Sequence, residues 1–202
     1  MNTVKNMILY IVLVFNGFFA IPELSFAQIP SKIPDALTVI HNRKSVRKYL
    51  NKPVNKEQLE ILLRAGMAAP SAGDNRPWAF VVVTDPAMLD TLSLATRNTQ
   101  MLSSAAAAIA VCGDTRIGFK SDVWIHDCSA ASENILLAAE AIGLGAVWTG
   151  IYLNEEPTKY VKKVLGLPSE VYPLNIISIG YPTGEEKPKN KWDPTKIHWE
   201  KW

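Results

Sequence analysis

The chain is short of the residues that most often build metal centres and covalent active sites. Its 202 residues include 2 cysteines and 3 histidines. His41, His126, His198, Cys112 and Cys128 show no metal-ligand spacing, so no metal site is expected. Cys112 ends an apolar run and Cys128 opens a helical pattern, which favours two buried thiols over a disulfide. Net charge is low too: a formal +2 at pH 7 is too small to argue for nucleic acid or an anionic membrane surface. Neither a G-x-G-x-x-G nor a Walker A pattern follows a strand, which disfavours a Rossmann dinucleotide fold and a P-loop. Ser45 and Ser71 have no adjacent His that would suggest a triad. Asp127 and Glu133 read as helix-capping residues rather than as an acid/base pair.

What is present is ordinary globular composition, 48% hydrophobic and 20% charged, enough for one sizeable core and one domain. The first residues stand apart. Lys5 precedes an apolar run from Met7 to Ile21, Pro22 breaks it, and Ser25 and Ala27 are small residues at the positions a signal peptidase reads. Residues 1–27 are therefore expected to be a signal peptide and 28–202 the folded domain, with export to a periplasmic or other extracytoplasmic location. The alternative is an uncleaved membrane anchor. As a helix the run would span only about 22 Å of a roughly 30 Å hydrocarbon core, and Asn16 interrupts it.

From Ile33 onward helix and strand signals alternate without internal repeats, which points to an α+β or α/β layer arrangement. A helix is predicted from Pro34–Asp35, and a second after Asn55, where N-x-x-Q supplies a capping box; it ends before Pro70. Asp122–Ile142 is the longest helical signal and Asn154–Leu165 an amphipathic one, capped near Gly166. Strands are predicted at Trp78–Thr84, which reads as buried, and at Ala105–Cys112, Ala146–Tyr152 and Leu174–Tyr181. The tail keeps Trp192, Trp199 and Trp202 without a periodicity of its own and is expected to dock on a partner subunit.

Two motifs carry chemistry. In RKSVR, an extended backbone puts Arg43, Ser45 and Arg47 on one face, with the two guanidinium stems about 13 Å apart. That spacing lets one Arg sit near a phosphate while the other reaches a ring, and the planar fork of Arg suits both. PSAGDNRPW, from Pro70 to Trp78, is a Pro-bracketed polar loop able to bond a heterocycle edge. Together they suit a flat, anionic ligand, with flavin mononucleotide as the candidate. Thr149-Gly150 inside an apolar strand leaves room for a flat ring, and Lys187 to Lys191 offer cations for a phosphomonoester. Taken singly, each feature also fits a solvated basic turn, plain turn chemistry, a bulge or a charged tail.

RKSVRKY, AAPSAGDNRPWAFVVV, DCSAASENILLAAEAIGLGAVWTGIY and IGYPTGEEKPKNKW, in that order, resemble the nitroreductase family of FMN-dependent oxidoreductases, and cover the chain from about Asp35 to its end. The resemblance implies an α+β fold with a mixed central β-sheet flanked by helices. It also implies an intertwined homodimer with two FMN sites across the interface. Arg43, Lys44, Ser45 and Arg47 match the N-terminal FMN segment, with Arg47 at the pyrimidine end, where a cation stabilises reduced flavin. Pro70, Ser71, Ala72 and Asn75 match the loop that reaches FMN from the other subunit. Val147, Trp148, Thr149 and Gly150 match the strand against the ring, and Lys189 and Lys191 the residues that hold the phosphate. Arg76 departs from the Gln frequent there, and Asn98 is a candidate for an Asn that some relatives supply between Thr91 and Met101.

By that resemblance the chain is an enzyme in which bound FMN takes two electrons from NADPH or NADH and gives them, ping-pong, to a nitroaromatic, a quinone or a similar small acceptor. No side chain acts as nucleophile. Two rivals remain at this level: a flavin-binding carrier or sensor without useful turnover, and a dehydrogenase or dehalogenase of the same fold using another electron donor. No nucleic acid is expected as partner, and a membrane only if the N-terminal segment is uncleaved.

Overall fold

A computed structural model describes residues 32, 34–118, 122–152 and 154–202; the expected signal segment, residues 1–27, lies outside them. Helix α1 (Ala36–Asn42) starts where the Asp35 side chain accepts the Thr38 N–H. Helix α2 (Lys56–Met67) starts with the reciprocal box the sequence announces: Asn55 accepts from the Gln58 backbone and Gln58 from that of Asn55. Strand β1 (Trp78–Val83) runs into a helix that the sequence reading missed, α3 (Pro86–Ser93), where Asp85 caps and Pro86 opens the first turn. Then come β2 (Ala107–Asp114), α4 (Val123–Ala141), β3 (Gly145–Gly150), α5 (Glu155–Leu165) and β4 (Val171–Gly180). Gly166, at φ 63°, closes α5 in the left-handed conformation expected of a glycine cap.

The four strands pair in the order β1-β2-β4-β3, each with its neighbour antiparallel. The parallel component that the resemblance implies is confined, among the described residues, to one bridge between Ser45 and Ala146. Strand β2 is covered on both faces. Its Ala107, Ile109 and Val111 join Leu59, Leu62, Trp124 and Ile135 in a core under α2 and α4. The alternate residues Ala108, Ala110 and Cys112 join Leu89, Leu92 and Val161 in a second core under α3 and α5. The architecture is three-layered, with α2 packed along α4 on one side.

Two strand expectations are corrected. The run from Trp78 reads as a buried strand, but β1 is a sheet edge and Val82 is exposed. Strand β4 begins at Val171, ahead of Pro173; a register shift opposite Val111 and Cys112 gives Pro173 a place in the ladder, as a bulge does. Cys112 and Cys128 are both free and buried.

Candidate functional site

The basic motif leaves α1 in extended form and is laid against the open edge of the sheet. Val46 donates its N–H to Ala146 O at 3.0 Å, and its side chain, 1% exposed, packs where Gly145 has no Cβ. Tyr49 anchors the far end: its hydroxyl donates to Val46 O at 2.7 Å and lies 2.7 Å from Ser178 Oγ. Burial raises the phenol pKa, so the hydroxyl keeps its proton. The polypeptide after β4 then pairs with this segment, Leu50 donating to Tyr181 O at 2.8 Å and Thr183 to Lys48 O at 3.3 Å.

Two cavities open along the segment and share Arg47. The larger, about 600 Å³, lies between Arg47, the Trp148–Gly150 end of β3, and the loop carrying Arg97 and Asn98. A Cβ on Gly150 would meet nothing within 4 Å, so a flat group has free approach to the backbone there. The loop is held by Thr99, whose hydroxyl accepts the Thr96 N–H at 2.9 Å and bonds Ser93 O at 3.0 Å; Thr149 donates to Asn98 O at 3.3 Å. The smaller cavity, about 340 Å³, is lined by Arg43, Lys44, Ser45 and Arg47 on one side and by Glu186, Lys187, Lys189 and Lys191 on the other. Not all of that charge is free. Arg43 Nε pairs with Glu133 at 2.9 Å, and Lys44 Nζ bonds both oxygens of Glu140 at 3.1 Å. A cationic cavity joined through one Arg to a larger, less charged one accepts a ligand that is anionic at one end and flat at the other.

The chain matches the sequence model of the nitroreductase family over residues 40–124 and 120–181. It belongs to that family. A relative from Archaeoglobus fulgidus, named "Putative NADH dehydrogenase/NAD(P)H nitroreductase", is 42% identical over 172 residues, 83% of this chain and 99% of the relative. A crystal structure bearing the same name, from Parabacteroides distasonis, is 51% identical, has a TM-score of 0.79, and matches over 83% of this chain and 98% of its own. An "FMN-dependent Nitroreductase" from Clostridium difficile is 34% identical with a TM-score of 0.77, covering 82% of this chain and 99% of that one. Membership makes the chain an oxidoreductase with the α+β nitroreductase fold.

The remaining expected residues of this nitroreductase-family chain fall elsewhere. Val147 is 3% exposed and lines neither cavity. Pro70, Ser71, Ala72 and Asn75 line neither cavity. Their loop is stiffened internally instead. Ser71 Oγ accepts the Arg76 N–H at 3.0 Å, Asn75 Nδ2 donates to Ala72 O at 2.7 Å, and Gly73, Asp74 and Arg76 all have positive φ. Arg76 spends its guanidinium on Asp74, in two bonds of 2.8 and 2.6 Å, and that contact holds the Asp74 carboxyl below its ordinary pKa.

One expectation is overturned. Asp127 and Glu133 do not cap α4. Asp127 is the fifth residue of the helix, buried, and accepts the Ala72 N–H at 2.9 Å, while Glu133 pairs with Arg43. One acid fixes the loop and the other the basic segment. Sequence reasoning also missed Arg97, Gln100 and Met101 in the larger cavity and Glu186 in the smaller. Arg97 stands beside the candidate Asn98 in a polar turn, the one signal that could have exposed it.

Proposed function

We propose that the chain is an FMN-dependent NAD(P)H oxidoreductase that reduces nitroaromatics, quinones or similar flat acceptors. The observation that carries this reading is the sharing of Arg47 between a cationic cavity and a larger cavity against the Trp148–Gly150 strand. The donor set suits FMN at both ends. Lys189, Lys191, Ser45 and the outer face of Arg43 hold the phosphate, while Arg47 and the backbone at Thr149 and Gly150 hold the ring. When bound, FMN supplies two-electron transfer from NADPH or NADH to the acceptor in separate half-reactions.

The protein's own residues then have positioning and electrostatic tasks. Arg47 brings positive charge to the pyrimidine end, where negative charge builds up. Trp148 and Thr149, which line the larger cavity, would border the ring. Pro70, Ser71, Ala72 and Asn75 serve the partner's site in a homodimer. Support for that comes from their absence from both local cavities, and from an apolar groove of about 410 Å³ beside Ile40 and Leu137. Export by way of residues 1–27 belongs to the same proposal and is checked by the N-terminal sequence of the mature protein.

A single preparation tests the function. The purified chain should be yellow, elute as a dimer, and bleach when NADPH or NADH is added without oxygen. Its colour should return with a quinone or nitroaromatic. Colourless, monomeric material at saturating FMN would refute the cofactor assignment; a yellow protein that no nicotinamide bleaches would favour a carrier.

A further inference from the structure

The tail reaches the anion cavity by pairing with the basic segment, and the pairing changes character at Gly184. Up to Thr183 the contacts are backbone to backbone. At Gly184 the chain turns through φ 89°. Beyond that turn the N–H groups of Arg47 and Lys48 are taken by one side-chain atom: Glu186 Oε1 accepts them at 2.9 and 3.3 Å. The second oxygen, Oε2, is shut off from solvent and has no hydrogen-bond partner among the described residues. Burial acts to raise the pKa of this carboxyl. The N–H groups of Arg47, Glu186 and Lys48 and the Lys48 charge outweigh it, so the pKa lies below the ordinary value and the group is an anion at neutral pH.

A carboxylate is out of place in a cavity that must attract an anion, since it repels the phosphate it borders. Its contacts explain its presence. On one side it grips the amide of Arg47, the residue common to both cavities. On the other it stands three and five residues ahead of Lys189 and Lys191, so where Glu186 is held decides where those ammonium groups can reach. Lys48 Nζ reinforces the junction through Glu185, but both partners of that pair are well exposed and contribute little.

We propose that Glu186 is the positioning residue of the anion cavity: its carboxylate clasps the C-terminal tail to the Arg43–Lys48 segment and so sets the lysine wall against the arginine wall. The clasp itself is independent of the ligand, and its effect on cofactor binding rests on the FMN reading above. Without it, among the described residues, the tail keeps its backbone pairing as far as Thr183 and beyond that the exposed Lys48–Glu185 pair, so the two lysines are less firmly placed.

The test uses the full chain with Glu186→Ala and Glu186→Gln and takes two readings. In the absence of flavin, a lysine-specific protease should cut after Lys189 and Lys191 about fivefold faster in Glu186→Ala. Glu186→Gln keeps an acceptor for the two amides and should be cut at nearly the parent rate. In titrations of the flavin-stripped chain, Glu186→Ala should bind FMN about tenfold more weakly and riboflavin, which lacks the phosphate, within about twofold of the parent. Parent-like proteolysis of Glu186→Ala overturns the clasp; so does equal weakening of FMN and riboflavin, which means general damage. Failure of the parent itself to bind FMN would sink the cofactor assignment, while the proteolysis would still judge the clasp. If Glu186→Ala does not fold, Glu186→Asp, one methylene short of the amides, gives the same two readings.

Discussion

Asp127 Oδ1 accepts the backbone N–H of Ala72 at 2.9 Å, tying α4 to a loop bent through three left-handed residues. The carboxylate is buried and Ala72 half-buried, so truncating it leaves that amide without its side-chain partner. Asp127→Ala should lose about 1.5–3 kcal/mol of stability, the range for a hydrogen bond to a charged group, read from the denaturant midpoint. Asp127→Asn retains an acceptor and should recover part of it. An unchanged midpoint in Asp127→Ala would show that the loop stands without the helix.

Two glycines on β3 should separate fold from site. A Cβ at Gly145 would lie 2.6 Å from Val46 Cγ1, and Val46 sits between Ser45 and Arg47. Gly145→Ala must push the basic segment off the sheet, so we expect about 1–3 kcal/mol of lost stability together with weaker FMN binding. At Gly150 the same methyl meets nothing within 4 Å. Gly150→Ala should therefore unfold within about 0.5 kcal/mol of the parent yet bind FMN more weakly, because the methyl enters the space the ring needs. Thermal melts beside flavin titrations of both variants decide this; undiminished FMN affinity in Gly150→Ala would remove the ring from that cavity.

What was legible in the sequence was local. The Asn55–Gln58 box and the Gly166 cap are decided within a few residues, and both helix ends fall where those signals put them. Asp85-Pro86 is an equally local helix start, but it follows directly on the predicted strand Trp78–Thr84, and α3 goes unpredicted. The basic segment and the lysine tail were each visible. What joins them is a backbone ladder between residues 48–50 and 181–183, which has no side-chain signature. Glu186 and Asp127 were opaque for a related reason: an acid that serves a distant amide looks like one that caps a helix or faces water.

The buried thiols make a prediction about alkaline pH. Desolvation pushes both Cys112 and Cys128 up to about 12 from an ordinary value near 9, and the Tyr49 phenol is raised as well. In each case the unfolded chain loses its proton first, so the folded state binds more protons and stability falls as pH rises. The stabilising contribution is intact below pH 9 and drains away between about 9 and 12. Denaturant midpoints measured from pH 8 to 11 should decline, and Cys112→Ala with Cys128→Ala should flatten the decline although each lowers stability at pH 8. The folded chain should also resist a thiol reagent at pH 8 and yield two thiols only when unfolded.

Arg47 lines both cavities and its backbone N–H is held by Glu186, so its place is set, and among the described residues its guanidinium has no ion-pair partner. If that charge balances the negative charge developing at the pyrimidine end, Arg47→Ala should slow flavin bleaching by NADPH about tenfold or more in anaerobic stopped flow. Arg47→Lys keeps a point charge without the planar fork and should fall between the two. A purely structural role predicts a different result: weaker FMN binding with an unaltered bleaching rate in the fraction that holds flavin. Measuring the rate at saturating FMN separates these outcomes, and equal rates for parent and Arg47→Ala would remove Arg47 from the electron-transfer step while leaving it a binding residue.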